Sequence, residues 1–346
     1  MATPDLTVHG AGIFGLSVAW AAARRGARVR VIEVARPGAG SSGGLVGALA
    51  PHVPEQWNVK KAFQLDSLLM AADWWGAVQA AGGLSPGYAR TGRLQPVADE
   101  AALALARTRA EGATTLWQGR AEWQVVRATG AEWEPATPSG WLIRDTLTAR
   151  MHPRQALAAL IAALQAKGGE IVIGEGEARG PEVWATGATG LSALSRGRNR
   201  PVGAAVKGQA ALLRFDAASR PQIFTDGLHI IPHGDGTVAI GSTSEREWDA
   251  PDSTDARLEA LIAKARAALP VLGTAPAIDR WAGLRPRARS RAPMLGSWPD
   301  RPGHFVANGG FKIGFGVAPK LAETLADLVL DGRDMIPDAF RVEASF

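Results

Sequence analysis

Four arginines, Arg285, Arg287, Arg289 and Arg291, fall at every second position of WAGLRPRARSRAPMLG, residues 281–296. In an extended chain that spacing puts their guanidinium groups on one face. Such a stripe suits a phosphate surface, a substrate clamp with charged neighbours, or a solvated edge. Pro286 divides the set: it fixes φ and removes a backbone donor, which argues against a regular strand with all four aligned.

A second chemistry-bearing stretch, LTVHGAGIFGLSVAWAAARRGARVRVIEV, occupies residues 6–34. Its pattern is strand, glycine turn, Ala-rich helix, β-branched strand. In Gly10-Ala11-Gly12-Ile13-Phe14-Gly15 the three glycines serve different ends. Gly10 makes the turn, Gly12 admits a pyrophosphate, and Gly15 lets helix pack on strand. The helix N-terminus offers free N–H groups to phosphate charge. Glu33 ends the second strand eighteen residues after Gly15, placed to accept both ribose hydroxyls and to repel a 2′-phosphate. Strand, helix, second strand and acid agree on a dinucleotide site, NAD or FAD. Gly40-Ser41-Ser42-Gly43-Gly44 formally matches a nucleophile elbow, but no strand runs into it and no helix runs out, which excludes a serine hydrolase. It reads instead as a second phosphate-contacting loop.

These residues need a scaffold of more than one domain, and 346 residues supply it. The net charge of +5 and pI near 9.9 suit anionic ligands but fall short of a typical nucleic-acid-binding stretch. With no cysteine, disulfides, thiolate catalysis and sulfur-ligated zinc are excluded, and no metal is assigned. No signal peptide or uncharged apolar run of membrane-spanning length is read, so the expected location is cytoplasmic, with no membrane partner.

Helices are expected from Asn58 to Ala81, after the Asp99 cap to Glu111, from Pro153 to Lys167, from about Ser253 to Leu269, and from about Val317 to Leu330. Short strands with turn signals between 205 and 245 suggest an antiparallel sheet. The expected fold class is α/β with α+β insertions: a Rossmann-like nucleotide domain over 1–83, 141–204 and 276–346, interleaved with a smaller, mainly antiparallel substrate domain over 84–140 and 205–275.

This order of motifs resembles the FAD-dependent oxidoreductase family of D-amino-acid oxidase, glycine oxidase and sarcosine oxidase. The carriers are GAGIFG with Glu33, GSSGGLVGALAPH (40–52), GWLIRDTLTARMHPRQAL (140–157), ATGATG (185–190), LHIIPHGDGTVAIGSTSE (228–245), WAGLRP (281–286) and GGFKIGFGVAPKLAETLADLV (309–329). They cover nearly the whole chain and favour FAD over NAD; without cysteine, FAD is expected to bind non-covalently. The resemblance places Gly10, Gly12, Ile13, Phe14, Gly15, Glu33, Val34, Ser41, Ser42, Gly47, Ala48 and Gly187 at the cofactor, with Glu177 as an adenine contact. From the last segment it adds Gly309, Gly310, Lys312, Ile313, Gly314, Phe315 and Gly316. A reduced flavin carries negative charge at N1 and the C2 carbonyl, and the last helix's N-terminus with Lys312 would supply fixed positive potential there.

By the same resemblance Arg285 binds a substrate carboxylate, His52 lies near the flavin, and His229 stands where relatives place a carboxylate-contacting tyrosine. Tyr88 is the only tyrosine, so the relatives' tyrosine pair is missing. After GLRP the relatives' Thr-x-Asp-x-x-Pro is replaced by Ala288-Arg289-Ser290-Arg291-Ala292-Pro293, and Arg287, Arg289 and Arg291 are read as a solvated loop. The implied activity is FAD-dependent oxidation of a small amine or amino acid, with O2 or another acceptor reoxidising the flavin. Alternatives are the aminomethyl-uridine side chain of tRNA as substrate, or a non-catalytic flavin-binding protein.

Overall fold

The computed structural model describes residues 5–346. A six-stranded sheet runs in the order Met294–Ser297, His304–Asn308, Glu182–Trp184, Leu6–His9, Val29–Glu33, Glu170–Ile173. Its neighbours are parallel except the first pair. Leu6, Val8, Val29 and Val31 are buried together, and the helices Ile13–Ala23, Val59–Gly82, Pro153–Ala166 and Gly314–Asp331 pack on one another in the same core. Every residue of Ile13–Ala23 is buried, the expected state of a helix apolar all round.

An eight-stranded sheet runs in the order Ala277–Ala288, Gly203–Arg214, Thr237–Gly241, Leu228–Pro232, Gln222–Thr225, Arg93–Pro96, Trp141–Asp145, Trp123–Arg127. Only Gln222–Thr225 beside Arg93–Pro96 is parallel. Along Gly203–Arg214, Ala211 and Leu213 pack with Leu258, Ile262 and Ala265 of helix Ala256–Ala268. The alternate residues Ala210 and Leu212 pack with Leu45, Val46 and Trp281, so one face meets a helix and the other faces the nucleotide-binding half.

The α/β class with interleaved insertions is realised, and the helix ends follow their signals. Asn58 Oδ1 accepts from the backbone N–H of Lys60 and Lys61, and Gly83 closes that helix in a left-handed conformation. The boundaries at 141 and 276 need correction: Trp141–Asp145 and Ala277–Ala288 both belong to the eight-stranded sheet, because their ladder partners lie there. The last helix begins at Gly314, so Gly314 and Gly316 form its first turn rather than a loop before it.

The strand Ala277–Ala288 ends before Arg289 and Arg291, so the four arginines are not aligned on one strand, but Pro286 is not what divides them. Ala277–Ala288 pairs continuously with Gly203–Arg214 across Pro286, which sits opposite Ala205. The Pro286 carbonyl accepts from Phe311 N, on the side away from that ladder. In a β-strand a residue's N–H and C=O point to the same side, so the missing donor faces the free edge and costs no ladder bond.

Candidate active site

One cavity of about 870 Å³ is lined from both sheets. On the six-stranded side, Gly10 turns at φ +102, and a Cβ there would lie 2.6 Å from the Ala185 carbonyl oxygen. Gly12, Ile13 and Phe14 line the cavity at the start of their helix, where the first N–H groups lack intrahelical partners. Ile13 N–H donates to Ser42 Oγ (3.0 Å). Glu33 accepts from Ala11 N at 2.8 Å and from Ala35 N at 3.0 Å. Each oxygen thus spends one acceptor on backbone and keeps capacity for a ligand hydroxyl. Val34, 85% exposed, lies at the cavity mouth.

Ser41, Ser42, Gly47 and Ala48 contribute a further wall, and Gly187, Gly310, Lys312, Gly314 and Phe315 another. Gly15, Gly309, Ile313 and Gly316 do not line the cavity but shape it. A Cβ on Gly15 would fall 1.9 Å from the Gly10 carbonyl oxygen, while Gly309 turns at φ +76. Ile313 caps the last helix, and Gly316 faces Leu68 and Leu49.

Two expected site residues are not brought to the cavity. Glu177 is exposed and paired with Arg179 at 2.6 Å. It sits in the short connection between Glu170–Ile173 and Glu182–Trp184, which extends toward solvent. His52 is exposed; its backbone N–H donates to Gln64 Oε1 and its Nδ1 contacts the same oxygen. Gln64 anchors that ring at the end of the loop, outside the cavity wall.

The eight-stranded sheet brings Arg285 and His229 together with Lys312 and Phe311. Arg285 is 7% exposed. Its Nη1 donates to Ser242 Oγ at 2.6 Å, and its Nη2 donates to the carbonyls of Thr243 and Lys207. Nε has no partner, so an Nε–H and one Nη1 N–H remain of the five donors. Burial lowers its pKa to about 10, leaving it cationic at neutral pH. Burial, then Arg285 and Arg287, lowers the Lys312 pKa. His229 is pushed down to about 3 by burial and then by Arg93 and Lys312, so its imidazole is neutral at pH 7. Its Nδ1 is buried without a hydrogen-bond partner. A proton on Nε2 leaves the less costly of the two groups, a lone pair, unpaired.

Sequence reasoning missed Gly208, Ser242 and Phe311. Gly208 lies diagonal to Arg285 across the ladder, where Val206 opposes Arg285 and Gly208 opposes Gly283. A Cβ on Gly208 would sit 2.4 Å from the Arg285 Cζ, so this glycine makes room for the guanidinium. Only the register of two strands some eighty residues apart reveals it. Phe311 could have been noted as the aromatic between two cations of the arginine-lysine set.

His229 and His233, both held near 3 by burial, set a pH dependence. The unfolded chain takes up protons at these imidazoles below about 6.5, whereas the folded chain does not until about 3. Stability is therefore full above pH 6.5 and falls as pH drops toward 3. The denaturation midpoint should decline between pH 7 and 4, and His233→Gln should flatten that decline; an unchanged slope would remove His233 as a source.

A glycine-lined dinucleotide cradle, an acid ending the second strand, and a cavity shared with an antiparallel sheet are features in search of a family. The model for FAD dependent oxidoreductases matches residues 5–328. The chain belongs to that family. FAD is its cofactor, and the Ser42-capped helix start with Glu33 fits a pyrophosphate and a ribose. A glycine oxidase of Pseudomonas aeruginosa is 36% identical over 177 residues, covering 49% of this chain and 48% of that protein. Thus the matched stretch spans about half the length of that relative. The Rhizobium etli protein named thiamine biosynthesis oxidoreductase ThiO is 29% identical over 94% of this chain and 96% of its own. The crystal structure of glycine oxidase from Geobacillus kaustophilus superposes with a TM-score of 0.83 at 20% identity, covering 98% of each chain; that likeness speaks to the fold. Among the described residues no helix is long and apolar enough to cross a membrane.

Proposed function

We propose that this FAD dependent oxidoreductase oxidises a carboxylated amine or amino acid at the carbon next to nitrogen, as the glycine oxidase name of its relatives suggests. The observation that carries this reading is Arg285, a buried cation on the cavity wall opposite the dinucleotide cradle, with two N–H donors free. A guanidinium so placed fixes a carboxylate by charge-assisted hydrogen bonds and thereby orients the carbon beyond it. His229, neutral and able to present Nε2–H to the cavity, provides a second donor. Lys312 and the N-terminus of Gly314–Asp331 would hold the electron-rich edge of the cofactor. Bound there, FAD would supply the acceptor for the hydride of the substrate C–H, and the imine so formed would hydrolyse in water. Orientation is what this site supplies, and no general base is required of it.

The test is anaerobic titration of the flavoprotein with a panel of amines and amino acids, following loss of flavin absorbance. Reduction by carboxylated amines supports the reading; a panel without effect, alongside reduction by a tRNA bearing an aminomethyl-uridine, would replace the substrate. A finer check concerns Gly208→Ala. Its methyl group would displace the Arg285 guanidinium, and a shift of about 1 Å in a positioning group costs on the order of a hundredfold in kcat/KM. Flavin content should stay full. Kinetics equal to the parent would show that the guanidinium position does not matter.

A further inference from the structure

Glu245 is the last residue of LHIIPHGDGTVAIGSTSE, and the chemistry proposed above leaves it unused. It is 7% exposed and does not line the cavity. A buried carboxylate must be answered by donors or cations, and this one is answered several times over. Oε1 accepts from Gln209 Nε2 at 3.0 Å and from the Thr243 hydroxyl, while Oε2 accepts from Arg257 Nη1 at 2.9 Å. Lys207, also buried, brings its ammonium to 3.9 Å.

These groups stand behind Arg285, on the other face of the eight-stranded sheet. Along Gly203–Arg214, Gln209 alternates with Gly208, whose side of the strand the Arg285 guanidinium occupies. Gln209 therefore shares the side of Ala211 and Leu213, which pack on helix Ala256–Ala268. Asp255, the cap of that helix, accepts from Gln209 Nε2 at 2.8 Å and donates its own N–H to Gln209 Oε1 at 2.9 Å.

The link from this set to Arg285 runs through residues 242–245. Ser242 Oγ and the carbonyls of Thr243 and Lys207 accept from the guanidinium. The Thr243 hydroxyl accepts from Gln209 N–H at 2.8 Å and donates to Glu245, whose backbone exchanges hydrogen bonds of 2.9 and 3.0 Å with Lys207. Both carbonyls that hold the guanidinium thus belong to residues that Glu245 itself ties down. Burial lowers the Arg285 pKa and the Glu245 charge opposes that, so the carboxylate acts on the guanidinium without pairing with it. A binding group keeps its direction only as well as its own supports are held.

We propose that Glu245 is a positioning residue of the substrate site: from the far face of the sheet it fixes the turn 242–244, and through that turn it aims the Arg285 guanidinium. This rests on the reading of Arg285 as the group that binds a substrate carboxylate.

The test uses the flavin-loaded protein and two thioethers that cannot be oxidised as amines, methylthioacetate and its neutral amide. Dissociation constants come from perturbation of the flavin absorbance. Thr243→Val removes the hydroxyl, keeps the side-chain shape and leaves every charge in place. It should weaken methylthioacetate about tenfold, leave the amide within about twofold and retain the flavin, while Thr243→Ser should bind both as the parent does. Glu245→Ala should produce the same selective loss, with solvent entering from the surface hollow that Thr243, Glu245 and Arg257 line. Removing a negative charge would by itself tighten the binding of an anion, so weakening reports lost aim. In the Glu245→Ala background Thr243→Val should add nothing, because the hydroxyl has lost the group it acts on. Parental binding of methylthioacetate in either variant, equal weakening of both ligands, or additive losses overturn the proposal. Should Glu245→Ala fail to fold, the two Thr243 variants decide alone. If the parent prefers methylthioacetate to the amide and the variants lose nothing, only this proposal fails. If the parent binds the two alike and no carboxylated amine reduces the flavin, the carboxylate reading of Arg285 fails with it.

Discussion

Arg285→Lys is expected to raise KM for a carboxylated amine roughly a hundredfold while the protein keeps its flavin. The parent guanidinium is fixed by Ser242, Thr243 and Lys207, so its free N–H groups are aimed before any ligand arrives. A lysine ammonium is a point charge on a flexible stem. It retains attraction but loses the fork and leaves the Thr243 and Lys207 carbonyls without their donor. Losing one charge-assisted hydrogen bond of the fork to the ligand carboxylate costs about 2–3 kcal/mol, which corresponds to that factor. Steady-state kinetics with a carboxylated amine, beside an amine lacking the carboxylate, separates the effects. Loss for both substrates alike would mean that Arg285 supports the fold rather than the ligand.

Gly15→Ala should abolish flavin binding. The added methyl group would stand 1.9 Å from the Gly10 carbonyl oxygen and 3.3 Å from the Ala185 Cβ. Both neighbours belong to the turn and strand exit that shape the cradle, and neither can yield as the tip of a flexible side chain would. Relief requires the helix Ile13–Ala23 to move off the strand Leu6–His9, and that helix is buried along its whole length. Overpacking of this kind costs several kcal/mol against backbone. The purified variant should show little bound flavin and a lowered melting temperature. A variant that retains full flavin content would show that the helix can shift without loss of the site.

The nucleotide-binding half was legible because its signals are local: the glycine turn, the β-branched strands and Glu33 lie within one short stretch, and each landed at the cavity or behind it. The second sheet was legible as a set of short strands but not in its membership, since Trp141–Asp145 and Ala277–Ala288 are placed by partners distant in sequence. His52 and Glu177 do not line the cavity for a related reason. Their assignments came from position within a familiar order of motifs, whereas both side chains are exposed and paired locally, with Gln64 and Arg179. Gly208 carried no sequence signal because its significance is a register. Pro286 misled because a sequence does not show which side of a strand a missing N–H will face.

That orientation of Pro286 bears on more than the ladder. Ala277–Ala288 is an outer strand of its sheet, and an open strand edge invites another chain to add to it, the first step toward aggregation. Here the proline removes a donor from the open side, Phe311 takes the Pro286 carbonyl, and Arg287 bridges to Gly310. Arg285 and Pro286, which line the cavity, and Arg287, which bridges to Gly310, thus also leave less of this strand edge open to another chain, so selection for solubility and selection for the site would act on neighbouring residues.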